Sequence, residues 1–177
     1  GFAFCALTGT KDLMELGVIR ARGQEKVFLI STTHGAETHA MAAALATIDE
    51  FEKKDVVAHN HAMGRLLAGE CHRVASAHAL QPFVQVIECE WMPTFVFCNQ
   101  KREPSAGLRT LFMQEMIRRG VLFQGIFVSC YSHSQGDVMQ FVRSFEESLD
   151  VYEQALDEGF EKFLIGEPAK AVFRKTL

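Results

Sequence analysis

The chain has no uninterrupted apolar stretch approaching the roughly 20 residues of a spanning helix, which excludes a helical membrane anchor within it. Its first residues lack the basic flank of a secretion signal, so a soluble, cytoplasmic protein is expected. Basic runs are missing too. With a formal net charge of −4 and no stripe of basic and aromatic residues, the chain offers nucleic acid no electrostatic footprint. The five cysteines (Cys5, Cys71, Cys89, Cys98, Cys130) include no C-x-x-C pair, which argues against a disulfide framework and against a zinc knuckle. Also absent are H-E-x-x-H and G-x-S-x-G, the spacings of a zinc protease helix and of a hydrolase nucleophile elbow.

What is present is a balanced composition over 177 residues, enough for one ordinary domain or two small lobes with a hydrophobic core. The opening Gly-Phe-Ala-Phe reads as the middle of a strand, so a piece of a longer protein is expected. Lys11 to Leu16 is a short helix by pattern, with Thr10 as its cap and Gly17 as its close. Val27-Phe28-Leu29-Ile30 has the length and β-branched content of a strand buried on both faces. Beyond the polar turn Ser31-Thr32-Thr33-His34-Gly35, an amphipathic helix is predicted from the spacing of Met41, Ala44, Leu45, Ile48 and Phe51. A second helix follows from about Val56 to Leu80, before Pro82. Strands are then expected at Phe83 to Ile87, Thr94 to Cys98 and Phe127 to Cys130. Between the last two, a helix opens at Pro104-Ser105 and closes at Arg118-Arg119-Gly120. Ser134-x-x-Asp137 is a capping-box pattern ahead of the stripe Val138, Phe141, Val142, Phe145, Leu149, Tyr152 and Leu156. The fold class is α/β: residues 1–54 end an α/β layer and 55–177 form a small α+β lobe with its connecting helix.

The loop Ser31 to Gly35 is the most suggestive segment for chemistry. Backbone N–H groups and the positive end of the helix behind it can hold an anion such as a phosphate, although a hydroxyl there is also an ordinary helix cap. The histidines invite a metal reading at His34, Glu37 and His39, or at His59 and His61. Neither set has the i, i+4 spacing that places two imidazoles on one helical face, and structural roles are expected. Ser132-His133-Ser134 lacks the surroundings of a nucleophile with its base and reads as a turn and helix start. Arg109, Arg118 and Arg119 read as solvated helix charges.

Several phrases resemble those of class III pyridoxal-phosphate (PLP) aminotransferases, closest to the glutamate-1-semialdehyde aminomutase-like members. Phe4-Cys-Ala-Leu-Thr-Gly9 with Asp12-Leu-Met-Glu-Leu-Gly17 is similar to the segment just after the Schiff-base lysine, and Ser31 to Ala42 to the segment leading into an alanine-rich helix. Leu111-Phe-Met-Gln-Glu-Met-Ile-Arg-Arg-Gly120-Val-Leu and Phe127-Val-Ser-Cys-Tyr-Ser-His-Ser134 resemble the family's small domain. The resemblance runs essentially end to end. It implies a fold type I, aspartate aminotransferase-like enzyme, with 1–54 the end of the large cofactor-binding domain and 55–177 the small C-terminal domain. By the same resemblance the enzyme is a homodimer acting on a small amino-acid or keto/aldehyde substrate, without nucleic acid or membrane partners. Thr32 falls on the threonine that reaches the cofactor phosphate of the neighbouring subunit. Because Ala36-Glu37-Thr38 departs from the usual asparagine and proline, Thr33 is the second candidate.

The Schiff-base lysine would lie upstream of Gly1. Lys11, at the start of the following helix, is no substitute, so the chain alone is expected to be inactive. Its Ile126-Phe-Val-Ser129 segment carries no arginine to grip a substrate carboxylate. The alternatives are a non-catalytic interaction module and a plain α+β domain with an anion site at Thr32.

Overall fold

The computed structural model describes residues 2–17, 25, 35 and 37–170. The expected strand Val27–Ile30 and the turn residues Ser31 to His34 lie outside them. Two compact units make up the chain, Gly1–Lys54 and Asp55–Leu177, and the described residues form a mixed α/β structure.

In the first unit α1 spans Lys11–Glu15. Thr10 sits at its N-cap position in an extended conformation, but its hydroxyl makes no capping bond, contrary to expectation. Gly17 N–H does close the turn, donating to Met14 O at 3.2 Å. Helix α2 spans Thr38–Lys54. Its polar side is laced by the i, i+4 pairs Asp49 to Lys53 and Glu50 to Lys54. Its apolar stripe, Met41, Leu45, Ile48 and Phe51, is exposed.

The second unit starts with α3, Val56–Ala77, entered through Asp55 in a left-handed conformation at φ 47°. The helix stops three residues short of Leu80 because Ala79 turns left-handed (φ 55°), and Leu80 N–H then folds back to Ala75 O at 2.8 Å. Strands β1 (Val84–Ile87) and β2 (Thr94–Phe97) pair antiparallel, Val84 opposite Phe97 and Val86 opposite Phe95. Those four residues are buried, so alternation puts one face of the hairpin into the core.

The third expected strand, Phe127 to Cys130, is not one. The segment Gly125 to Ser129 runs antiparallel beside Trp91 to Phe95, with Phe127 N–H to Pro93 O (2.9 Å), Ser129 N–H to Trp91 O (3.0 Å) and Phe95 N–H to Gly125 O (2.8 Å). Only an isolated bridge, Thr94 to Ile126, completes a ladder rung. Pro93 has no N–H to return a bond to Phe127, so the pairing stays incomplete.

Helix α4 covers Ala106–Arg118, its first turn capped by Ser105 Oγ accepting from Leu108 N–H. It ends at Gly120 (φ 82°), where Gly120 N–H reaches Ile117 O and Val121 N–H reaches Met116 O, the two bonds of a Schellman turn. Helix α5, Gln135–Glu158, starts with the expected capping box of Ser134 and Asp137. Its stripe Val138, Phe141, Val142, Phe145, Leu149 and Tyr152 is buried against α3 and α4. Aromatic rings fill the centre, with Phe97 4.6 Å from Phe112 and Phe112 5.3 Å from Phe145. Tyr152 ties α5 to the hairpin by donating its hydroxyl to Cys98 O at 2.7 Å, and burial raises its pKa.

Candidate functional site

Thr32 and Thr33, the residues that sequence singles out for an anion, lie outside the described residues, as do Ser31 and His34. Gly35 occupies a turn and α2 begins at Thr38. At that end Glu37 Oε2 meets His39 Nε2 at 3.1 Å, and the His39 ring packs edge-on against Phe2 at 4.8 Å. No group of three or more His, Cys, Asp or Glu side chains among the described residues is arranged to hold a metal ion.

In the second unit α3 carries several polar side chains with partners on other segments. His59 and His61 point to different partners, as expected for residues two apart on a helix. The first contacts His133 O through Nε2 at 2.9 Å and packs on the Tyr131 ring at 5.0 Å. The second meets Glu90 Oε2 at 2.9 Å. One turn later Arg65 takes the other oxygen of Glu90 at 3.1 Å, so a single carboxylate spans two positions of the helix. Two turns further, His72 faces Val86 O (3.1 Å) and Glu88 Oε1 (3.2 Å). Between these braces Gly64 lies directly under the Glu90 carbonyl, where a Cβ would meet the oxygen at 1.9 Å. A shallow cavity of about 270 Å³ opens beside it, between Gly64, Ala68 and Gly69 on one side and Glu88, Cys89 and Glu90 on the other. His61, Arg65 and His72 therefore brace the 86–90 segment onto α3, with the Glu88 and Glu90 carboxylates already committed.

A second recess of about 340 Å³ sits at the start of α5, with walls from Phe123, Ile126, Phe127 and Phe141 and a polar end at His133 and Asp137. The 130–134 turn is built for capping. His133 Nδ1 accepts from Cys130 N–H at 3.2 Å, and its ring packs at a tilt against Phe127, 4.9 Å between centroids. Ser134 donates through both N–H (2.8 Å) and Oγ (2.7 Å) to Asp137 Oδ2. These bonds from Ser134 hold the Asp137 carboxyl below the usual range. With Ser134 and His133 engaged elsewhere, the serine and histidine do not pair as nucleophile and base.

The arginines depart from the sequence reading. Arg109 donates to Gln124 O at 2.6 Å. Arg118 and Arg119 are not simply solvated: both meet Glu115, which is 3% exposed, at 2.8 Å, and Arg119 continues to Glu147 at 3.1 Å. Burial alone would raise the Glu115 pKa, but hydrogen bonds from Gln114 and Arg119 and the two positive charges outweigh it and leave it below the ordinary value. This buried carboxylate went unread in the sequence, although its i, i+3 and i, i+4 spacing to two arginines was the signal. Cys71 is fully buried, and desolvation, then Glu70, pushes its thiol far up, which leaves it inert packing. Among the described residues no helix is long and apolar enough to cross a membrane. No protein-family model matches the chain, and no curated protein matches it significantly.

Proposed function

We propose that the chain is the C-terminal part of a PLP-dependent class III aminotransferase or aminomutase, acting as a homodimer on a small amino-acid or keto/aldehyde substrate. In this reading residues 1–54 close the large domain and 55–177 form the small one. One observation carries most weight: the phrases that resemble the family fall on backbone positions with physical demands of their own. Arg119-Gly120-Val121 is the left-handed turn that ends α4, and His133-Ser134 is the cap that starts α5.

PLP supplies a carbonyl that carries the amino group and a ring that accepts electrons. This chain's share would be to hold the phosphate in trans. Thr32 or Thr33 would donate a hydroxyl, and the N–H groups at the start of α2 would favour the negative charge.

The full-length protein tests the reading. It is expected to absorb as a lysine-bound PLP imine, and to lose that band when the lysine upstream of residue 1 is replaced. Thr32→Val in the same protein is expected to weaken PLP retention by about 1 to 3 kcal/mol, the effect of removing a donor to a charged group. Absence of the band from the intact protein sinks the enzyme reading and leaves the non-catalytic interaction module. A band with unchanged retention in both Thr32→Val and Thr33→Val keeps the enzyme and rejects the phosphate assignment.

A further inference from the structure

The segment Gly125 to Ser129 is paired on one side only. Toward Trp91 to Phe95 it uses Phe127 N–H, Ser129 N–H and Gly125 O. The bridge between Thr94 and Ile126 fixes the register, and in that register Ile126 and Val128 hold the positions whose N–H and C=O groups point away from the neighbour. None of these outward groups has a hydrogen-bond partner among the described residues. The two side chains are 46% and 56% exposed. Natural proteins usually guard an open edge with a charge, a proline or a bulge, yet Gln124-Gly125-Ile126-Phe127-Val128-Ser129 carries neither charge nor proline. Beside this edge opens the recess of about 340 Å³ at the start of α5. Phe123 and Phe141 are buried in its walls, and Leu122 beside them is 85% exposed. At its polar end Asp137 turns Oδ2 to Ser134 N–H and Oγ, while Oδ1 takes no hydrogen bond from another residue.

We propose that the 126–128 edge docks an extended peptide of a partner protein, which pairs with Ile126 and Val128 as an added strand, seats an apolar side chain in the recess and brings a lysine or arginine to Asp137 Oδ1. Each part of the site selects one feature of this occupant. An extended polypeptide offers N–H and C=O groups at the spacing that Ile126 and Val128 present. Alternation then turns every second side chain to one face, where the recess accepts an apolar group. The unengaged carboxylate oxygen favours a cation and repels an acidic residue. A second copy of this chain laid edge to edge lacks that cation. The stretch Leu122 to Tyr131 has no lysine or arginine, and Arg109, beside Gly125, already donates to Gln124 O. The site belongs wholly to the second unit and does not depend on the PLP reading.

The test is amide NMR of this chain, first alone and then titrated with a blocked heptapeptide of alternating valine and threonine that carries one lysine. Alone, the Ile126 and Val128 amides are expected to exchange with solvent faster than those of Phe127 and Ser129. Slow exchange at all four overturns the proposal, because the edge is then already covered by this chain or by a second copy. With peptide at millimolar concentration, saturable shifts centred on Ile126 and Val128 are expected. Binding should weaken about fivefold when glutamate replaces the lysine, the scale of an exposed ion pair, and vanish when every peptide N–H is methylated. Val128→Pro removes one outward N–H and leaves the Phe127 and Ser129 bonds in place, so it too should abolish the shifts. No shift at millimolar peptide overturns the site, as does binding that is indifferent to the glutamate, to N-methylation or to Val128→Pro. If Val128→Pro does not fold, the altered peptides decide.

Discussion

Helices α2 and α5 carry the same kind of apolar stripe at helical spacing, and the structure treats them in opposite ways. In α5 the residues Val138, Phe145, Leu149 and Tyr152 are completely buried, whereas in α2 Leu45 and Ile48 are 68% and 51% exposed. Periodicity names the face of a helix that seeks cover, and it is silent on what provides the cover. For α5 that cover is local, from α3 and α4 and from the hairpin rings Phe95 and Phe97 within the same unit.

The largest effect that sharpens this contrast is expected from Phe145→Ala. The ring contacts Phe95, Phe112 and Phe141, and its removal leaves a cavity in a packed centre. A loss of about 3 to 5 kcal/mol in urea unfolding is expected. Leu45→Ala in α2 should change the same measurement by no more than about 0.5 kcal/mol. A comparable loss at Leu45 would mean that the α2 face is covered in solution and that the contrast is not real.

Next in size is the charge cluster on α4. Arg119→Ala removes one of two cations from a buried carboxylate, and leaving Glu115 underpaired is expected to be destabilising by about 3 kcal/mol. The sign of the pH effect follows from the lowered Glu115 value. Its stabilising contribution is fully present above the unfolded carboxylate pKa of about 4.3, and is lost as pH falls through the lower folded value. Acid titration of stability should therefore be shallower in Glu115→Gln than in wild type. Identical acid profiles would mean that Glu115 is not the group responsible. Smaller again is Tyr152→Phe, which keeps the ring and strips Cys98 O of its buried donor. About 1 to 2 kcal/mol is expected by the same urea assay.

The second unit was largely legible because its signals are local. The capping box at Ser134, the Gly120 stop and the β-branched and aromatic runs at 83–87 and 94–98 each act within a few residues. What escaped notice depends on distance. Glu115 looks like any surface carboxylate until the fold buries it, and the 127–130 strand fails because of Pro93, more than thirty residues away. The proposed anion loop at Thr32 is legible as a composition of hydroxyls before a predicted helix, but the use proposed for it depends on groups that the resemblance places outside this chain.

The two helix ends at Ala79 and Gly120 give the finest comparison. Both use the same turn. Leu80 N–H returns to Ala75 O and Ala79 N–H to Ser76 O, just as Val121 and Gly120 return to Met116 and Ile117. The pivot residue is left-handed in each, at φ 55° for Ala79 and 82° for Gly120. Glycine reaches that region freely, whereas an alanine Cβ crowds the backbone there. Ala79→Gly should therefore stabilise the chain by about 0.5 to 1 kcal/mol, the relief of strain less the extra entropy that glycine brings to the unfolded chain. Gly120→Ala should destabilise it by a similar amount, although a Cβ there meets no atom within 4 Å, because backbone strain is then the only cost. Equal and opposite shifts in unfolding midpoint would establish that α3 and α4 end by one mechanism. A loss of stability in Ala79→Gly would show that the Ala79 methyl contributes packing that outweighs its strain.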